Sequence, residues 1–331
     1  IQILGKLISV QGSHISPIAL AGPPGVGKTK FAQCLAESLD IPFVQITLGG
    51  QNDGELLHGH GYTYSGAQPG LIVKKMVDAG SGRCIMYFDE LDKCVSKNGQ
   101  VNELMSILIH LTDPMTNGSF QDRFFQEITF PLNKVIFMFS FNDISKIDKI
   151  LKDRMEIIDV SSYSINEKIK ISQDYLLKEL FKEIGFQDKT IIFQENILNH
   201  IIENYTFEPG VRSLRRSLEN ILLKLNIDKI YQRGKFEINS YDDKNPLIID
   251  KDIVSEFLGE TKVEYNKIHA NNMIGIVNGL YATTLCSGGI VPIQLIGHHF
   301  GENNKFTLKL TGNQKKVMKE SVFYAFTTAI N

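Results

Sequence analysis

The stretch Gly22-Pro23-Pro24-Gly25-Val26-Gly27-Lys28-Thr29, GPPGVGKT, decides how the rest of the chain is read. It fits the pattern G-x-x-x-x-G-K-[ST] at every fixed position. It follows the apolar run PIALA (17–21) and opens a helical pattern over Lys28–Leu39. Each residue type has a physical reason. Glycines let backbone N–H groups turn inward and cradle phosphate oxygens. The helix N-terminus adds its partial positive charge. Lys28 brings a point charge to the terminal phosphates, and the Thr29 hydroxyl is a Mg²⁺ ligand. An ordinary Gly/Pro turn would not need the whole pattern in a strand-to-helix setting.

Working outward, CIMYFDE (84–90) supplies the matching acidic end of a strand. Asp89 can hold Mg²⁺ through water, and Glu90 can polarise a water for attack on a γ-phosphate. Further runs, FVQITL (43–48), KVIFMFSF (134–141) and MEIIDV (155–160), are short and near-continuous, as strands buried on both faces are. Helical patterns at Leu71–Ala79 and Val101–Leu111 fit between them. The alternation predicts a parallel α/β sheet covered on both sides.

After Val160 the pattern changes. Ser164 and Glu167 have capping-box spacing, and a long helix is expected to about Glu183. Helical periods continue through ENILNHIIENY, PGVRSLRRSLENILLKLNIDKIYQ and KDIVSEFLG, which predicts a small all-helical module. Glu260 to Asn266 reads as a linker, strand patterns begin at about Asn272, and Lys316–Asn331 reads as a helix with an apolar face. The opening IQILGKLISVQG has no initiator Met and reads as the middle of a helix.

Three single residues stand near the phosphate chemistry. Asn142 follows a buried strand and would face the same sheet edge; Arg154 just precedes the next strand; Arg212 lies near a helix start in PGVRSLRR. On their own, surface arginines are solvated more often than they are catalytic.

Together these segments resemble the AAA+ family, and within it the ATP-dependent Lon proteases. The likeness rests on GPPGVGKT, GHGYTYSGAQPG, FDELDK, LKDRMEIIDVSSY, FEPGVRSLRRSLENI, NMIGIVNGLYATTLCSGGIVPIQL and KLTGNQKKVMKES, in that order. The resemblance implies ATP and Mg²⁺ as cofactors. It makes Asn142 the residue that orients the attacking water, Arg154 an arginine finger reaching a neighbouring subunit, and Arg212 a γ-phosphate sensor on the lid. Tyr163 and Ile171 match positions that pack around adenine. Tyr64, with Ser65 where the family usually has an aliphatic residue, falls in a substrate-gripping pore loop. A homo-oligomeric ring, a hexamer, acting on unfolded or damaged polypeptides is implied as well.

The resemblance also implies a Ser–Lys peptidase dyad beyond KLTG…VMKES. Neither Ser287 nor Ser321 matches the setting of its serine, so the dyad is expected to be missing from this sequence and peptidase activity of the chain itself is not expected. The organisation expected is a P-loop α/β domain at 1–162, a helical lid at 163–262 and an incomplete α/β peptidase domain at 263–331. A motor-only AAA+ unfoldase or scaffold is the alternative. A nucleotide-binding module without hydrolysis is disfavoured because Lys28, Asp89, Glu90, Asn142, Arg154 and Arg212 are all present.

Bulk properties set limits. Among 331 residues the net charge is −2, which gives no basic field for DNA, a partner associated with the family. Cys34, Cys84, Cys94 and Cys286 have no metal-ligand or disulfide spacing, so a reducing, intracellular, soluble setting is expected, cytoplasm or mitochondrial matrix. No apolar run is long enough to span a membrane. The final helix is expected to leave apolar side chains exposed.

Overall fold

A computed structural model describes residues 15–50, 53–61, 66–94, 103–187, 190–231, 245–261, 274–282, 288–295, 310 and 316–330. The opening segment read as a helix, and Tyr64, Ser65 and Ser287, lie outside the described residues. Two compact units are formed, Ile1–Tyr265 with Ala282–Gly289, and Asn266–Tyr281 with Ile290–Asn331.

The first unit is built on a five-stranded sheet. In chain order its strands are β1 (Ile18–Ala21), β2 (Phe43–Thr47), β3 (Ile85–Asp89), β6 (Ile136–Phe141) and β7 (Glu156–Asp159); the order across the sheet is β2-β3-β6-β1-β7. Every pairing is parallel. Helices α1 (Lys28–Ser38), α2 (Glu55–His58), α3 (Leu71–Ala79), α4 (Glu103–Thr112) and α5 (Lys149–Asp153) connect them, and the short strands β4 (Phe120–Gln121) and β5 (Thr129–Phe130) form a separate antiparallel pair.

The central strands β1 and β6 are buried at every residue, as their uninterrupted apolar sequences require. Their alternate side chains feed two cores. Phe88 stacks on Phe139 at 5.2 Å on one face, with Leu104 and Leu108 of α4. On the other face Leu20, Tyr87 and Met138 meet Ala32 and Ala36, small residues that let α1 lie close to the sheet. Strand β7 departs from the reading of MEIIDV as buried on both faces: it is an edge strand, and Glu156, Ile158 and Asp159 are exposed.

The helical module follows. The Ser164–Glu167 capping box forms as expected, with Ser164 accepting from the Glu167 N–H and Glu167 accepting from the Ser164 N–H. The long helix is not uniform. It runs as α6 (Ile165–Ile171), a π turn (Ser172–Leu176) and α7 (Leu177–Ile184), and the buried Ser172 hydroxyl donates back to the Lys168 carbonyl at 2.8 Å. Then come β8 (Ile191–Ile192), α8 (Glu195–Tyr205), α9 (Arg212–Tyr231), β9 (Leu247–Ile248) and α10 (Lys251–Leu258). The module is therefore not all-helical: β8 and β9 pair in parallel, because Ile191 and Leu247 place short apolar runs over the same core. That core is filled by Leu214, Leu218, Ile221, Leu222 and Leu225, one stripe of α9.

Strands β10 (Ile276–Ala282) and β11 (Gly288–Gln294) pair in a two-stranded sheet, and α11 (Lys316–Ile330) is helical as expected. Its Val317, Phe323 and Tyr324 are exposed, which agrees with the expected apolar surface. Among the described residues no helix is long and apolar enough to cross a membrane.

Candidate functional site

The C-terminal ends of β1, β3 and β6 lie side by side, and the residues that follow them converge. This is the edge where parallel α/β sheets bind ligands. The loop leaving β1 is shaped by its glycines. Gly25 and Gly27 have φ values of 82° and 85°, which favour a residue without Cβ. A Cβ on Gly22 would stand 2.2 Å from the Val160 carbonyl oxygen, so only glycine passes between β1 and the exit of β7.

The Lys28 ammonium donates to the Gly22 carbonyl at 2.5 Å, the Pro23 carbonyl at 3.0 Å and Asn142 Oδ1 at 2.8 Å. Its three donors are thereby engaged. Lysine only donates, so the Asn142 oxygen must face it, which leaves the Asn142 amide NH₂ as the outward donor. Burial pushes the Lys28 ammonium below the ordinary lysine value, while Asp89 and Asp92 pull it back up.

Asp89 ends β3 in a dense set of donors. Ser140 donates to its Oδ1 at 2.5 Å, Gln45 to its Oδ2 at 3.2 Å, and the Glu90 N–H to Oδ1 at 3.0 Å. Glu90 is one of two described non-glycine residues in the left-handed region, at φ 62°. Its carboxylate is ion-paired with Lys93 and lies against Gly49, where a Cβ would stand 2.0 Å from Glu90 Oε2. The sequence reading did not identify Gln45, Gly49, Tyr87, Lys93 or Ser140. No local signal marks Gln45, Gly49, Tyr87 and Ser140, since each acts on a residue far away in the chain, whereas Lys93 lies only three residues from its partner Glu90.

The helical module reaches the same loop. Val211 donates its N–H to the Gly25 carbonyl at 3.1 Å, and the Tyr163 hydroxyl donates to the Val26 carbonyl at 2.7 Å. Arg212 opens α9, with its Cβ 3.3 Å from where a Gly25 Cβ would be. Glu208 organises this contact: its Oε1 accepts from the Leu214 N–H at 2.9 Å, and its carbonyl accepts from the buried Lys168 ammonium at 2.6 Å. Ile171 is half-buried on α6, directly before the π turn.

Arg154 is elsewhere. It precedes β7, whose Glu156 pairs with Ile18, the first residue of β1, so Arg154 belongs to the opposite sheet edge from the P-loop. The intervening strand is about 10 Å long. There its guanidinium donates to the Ile109 carbonyl at 2.6 Å and meets Asp113 at 3.3 Å, at the C-terminal end of α4.

The donor set fits a magnesium nucleotide. A glycine cradle, an ammonium, a hydroxyl and a carboxylate are gathered at one edge, and the oxygens of Thr29 and Asp89 suit a hard cation.

Three segments of the chain match models of known families. Residues 18–163 match the ATPase family associated with various cellular activities. Residues 182–234 match the Lon protease AAA+ ATPase lid domain, and 248–330 the Lon protease (S16) C-terminal proteolytic domain. A protein of Acanthamoeba polyphaga mimivirus named Lon protease homolog is 43% identical over 381 aligned residues, covering 100% of this chain. The Lon proteases of Ureaplasma parvum serovar 3 and Clostridium acetobutylicum are 36% and 37% identical over 93% and 92% of it. The chain spans 37% of the length of each of these three relatives.

Proposed function

The chain belongs to the Lon protease family of AAA+ proteins, and we propose that its first unit is the ATP-hydrolysing motor of an ATP-dependent protease. The observation that carries the reading is the convergence of Lys28, Asn142, Asp89 and Glu90 at one sheet edge, with the start of α9 lying on Gly25.

The roles are those that the family resemblance implies, and the positions of the described residues support them. Loop N–H groups and Lys28 bind the phosphates, with the anion replacing the Gly22 and Pro23 carbonyls around the ammonium. Thr29 and Asp89 would hold Mg²⁺, which supplies charge neutralisation at the β- and γ-phosphates. Glu90 takes the proton of the attacking water and the Asn142 NH₂ orients it. Arg212 meets the γ-phosphate from the lid, and Tyr163 and Ile171 border the base. Arg154, on the far edge, serves a neighbour's site, which supports a homo-oligomeric ring, a hexamer in this reading. Tyr64 and Ser65 grip an unfolded polypeptide. Proteolysis is proposed for the whole protein, and none of the residues described above is given the role of its Ser–Lys pair. DNA has no part in this reading.

The test is ATP turnover by the assembled protein with and without a permanently unfolded polypeptide, reduced and carboxymethylated α-lactalbumin. Lys28→Ala should abolish nucleotide binding, Glu90→Gln should bind but not turn over, and Tyr64→Ala should lose stimulation by the polypeptide. Full turnover in Glu90→Gln would refute the assignment of the base.

A further inference from the structure

The turn that carries Arg212 to the P-loop is tied down at Glu208. This residue is half-buried and begins the segment Glu208-Pro209-Gly210-Val211 that leads into α9. Its main chain is held by α6: the Lys168 ammonium, 4% exposed, donates to the Glu208 carbonyl at 2.6 Å. The next carbonyl, that of Pro209, accepts from the Tyr163 N–H at 3.0 Å. The Glu208 side chain turns the other way, to α9, where its Oε1 accepts from the Leu214 N–H at 2.9 Å. Its second oxygen, Oε2, lies 3.6 Å from where a Gly25 Cβ would be.

The first turn of α9 needs this carboxylate. The Val211 carbonyl accepts from the Arg215 N–H at 2.9 Å, so Val211 stands at the N-cap, and the N–H groups that follow have no acceptor within the helix. A capping Ser, Thr, Asp or Asn would offer its side-chain oxygen to the second or third helical residue. Valine has no such oxygen. Leu214 is the third residue of α9, and the carboxylate six residues upstream takes its N–H instead, at the helix end that favours negative charge. The same bond sets how the helix is turned. Successive helical residues are about 100° apart, so the fully buried Leu214 puts Arg212 about 200° away, on the exposed side. There the Arg212 Cβ lies 3.3 Å from the Gly25 Cβ position.

We propose that Glu208 is a positioning residue that fixes the rotation of the first turn of α9 and so holds Arg212 over the P-loop. The inference rests on the assignment of Arg212 to the γ-phosphate. Lys168 ties the joint to α6, which also carries Ile171, so the elements assigned to the two ends of the nucleotide meet at one residue.

The experiment compares binding of two fluorescent nucleotides, mant-AMPPNP and mant-ADP, to the assembled protein in Mg²⁺. Only the first has a γ-phosphate for Arg212 to meet. Glu208→Ala should weaken mant-AMPPNP about fivefold, the worth of one capping bond, and leave mant-ADP at the wild-type level. Glu208→Gln keeps an oxygen for the Leu214 N–H and should bind both as wild type does. Adding Glu208→Ala to Arg212→Ala should cost nothing beyond Arg212→Ala alone, because the residue being positioned is gone. Equal losses for the two nucleotides in Glu208→Ala would mean a general packing role and overturn the proposal. So would a Glu208→Gln protein as weak as Glu208→Ala, or additive losses in the double variant. Arg212→Ala separates the two readings. If it weakens mant-AMPPNP selectively while Glu208→Ala behaves as wild type, only the positioning role is wrong; if it leaves mant-AMPPNP unaffected, the γ-phosphate assignment fails and the proposal with it.

Discussion

Gly210 and Gly25 meet backbone to backbone: a Cβ on Gly210 would stand 2.1 Å from the Gly25 carbonyl oxygen. The next residue, Val211, donates its N–H to that same oxygen at 3.1 Å. The lid thus reads the P-loop through main chain, at a point where neither partner can carry a side chain.

Gly210→Ala should therefore separate lid from loop. Overpacking of this kind costs about 1–3 kcal/mol. The expected result is a loss of nucleotide affinity of about tenfold or more, since about 1.4 kcal/mol is a factor of ten. Sheet and lid have separate cores, so the fold should persist. Fluorescent-nucleotide titration checks this, and wild-type affinity would show that the contact is incidental to binding.

A pair of opposed pH slopes should arise from Lys28. Burial holds its ammonium below the ordinary lysine value of 10.5. Between the lowered value and 10.5, the unfolded chain keeps a proton that the folded chain has lost. Stability therefore rises with pH across that window. Nucleotide affinity runs the other way, falling as the ammonium that meets the phosphates loses its charge. Lys28→Met should remove the stability slope when urea unfolding is compared with wild type at each pH, and a slope unchanged in Lys28→Met would assign it to another group.

Glu90 depends on the bareness of Gly49. Glu90→Gln should lower turnover about 10²–10⁴-fold, the usual contribution of a general base, with nucleotide still bound. Gly49→Ala places a methyl group where Glu90 Oε2 now lies, 2.0 Å from the new carbon. Its turnover should fall between wild type and Glu90→Gln in single-turnover hydrolysis. A Gly49→Ala protein with wild-type chemistry would show that this carboxylate position is not the reactive one.

Arg154 can be tested by complementation. Arg154→Ala should lose turnover by about 10³–10⁵, as arginine fingers do, and keep nucleotide binding. Mixed assemblies of Arg154→Ala and Glu90→Gln subunits should regain activity, because some interfaces pair an intact P-loop with an intact arginine. Mixing that restores nothing would argue for action within one subunit.

Much of this was legible in the sequence because it is local. The P-loop announces itself through glycine spacing between a strand and a helix, and the structure gives Gly25 and Gly27 the positive φ that the pattern implies. The capping box of Ser164 and Glu167 spans three residues, and it formed as read. The edge position of β7 was not legible, because MEIID has the same apolar character as a central strand and only the order of pairing exposes it. The lysine at 168 looks like any helix-surface lysine, yet it is 4% exposed and bonded to the Glu208 carbonyl, 40 residues away.

The sequence by itself determined the phosphate loop, the acidic strand end and the alternation that builds a parallel sheet, since turn chemistry and side-chain periodicity are properties of neighbouring residues. Tertiary structure alone decided which distant groups share a proton or a backbone contact. It set Tyr87 against Thr29, Ser140 against Asp89, Gly49 under Glu90, Gly210 on Gly25, and Arg154 on the far edge of the sheet. The physical reason is that strand register and crossover order bring residues from separate strands within 3 Å or so of one another, the reach of a hydrogen bond, and no periodicity along the chain encodes that distance.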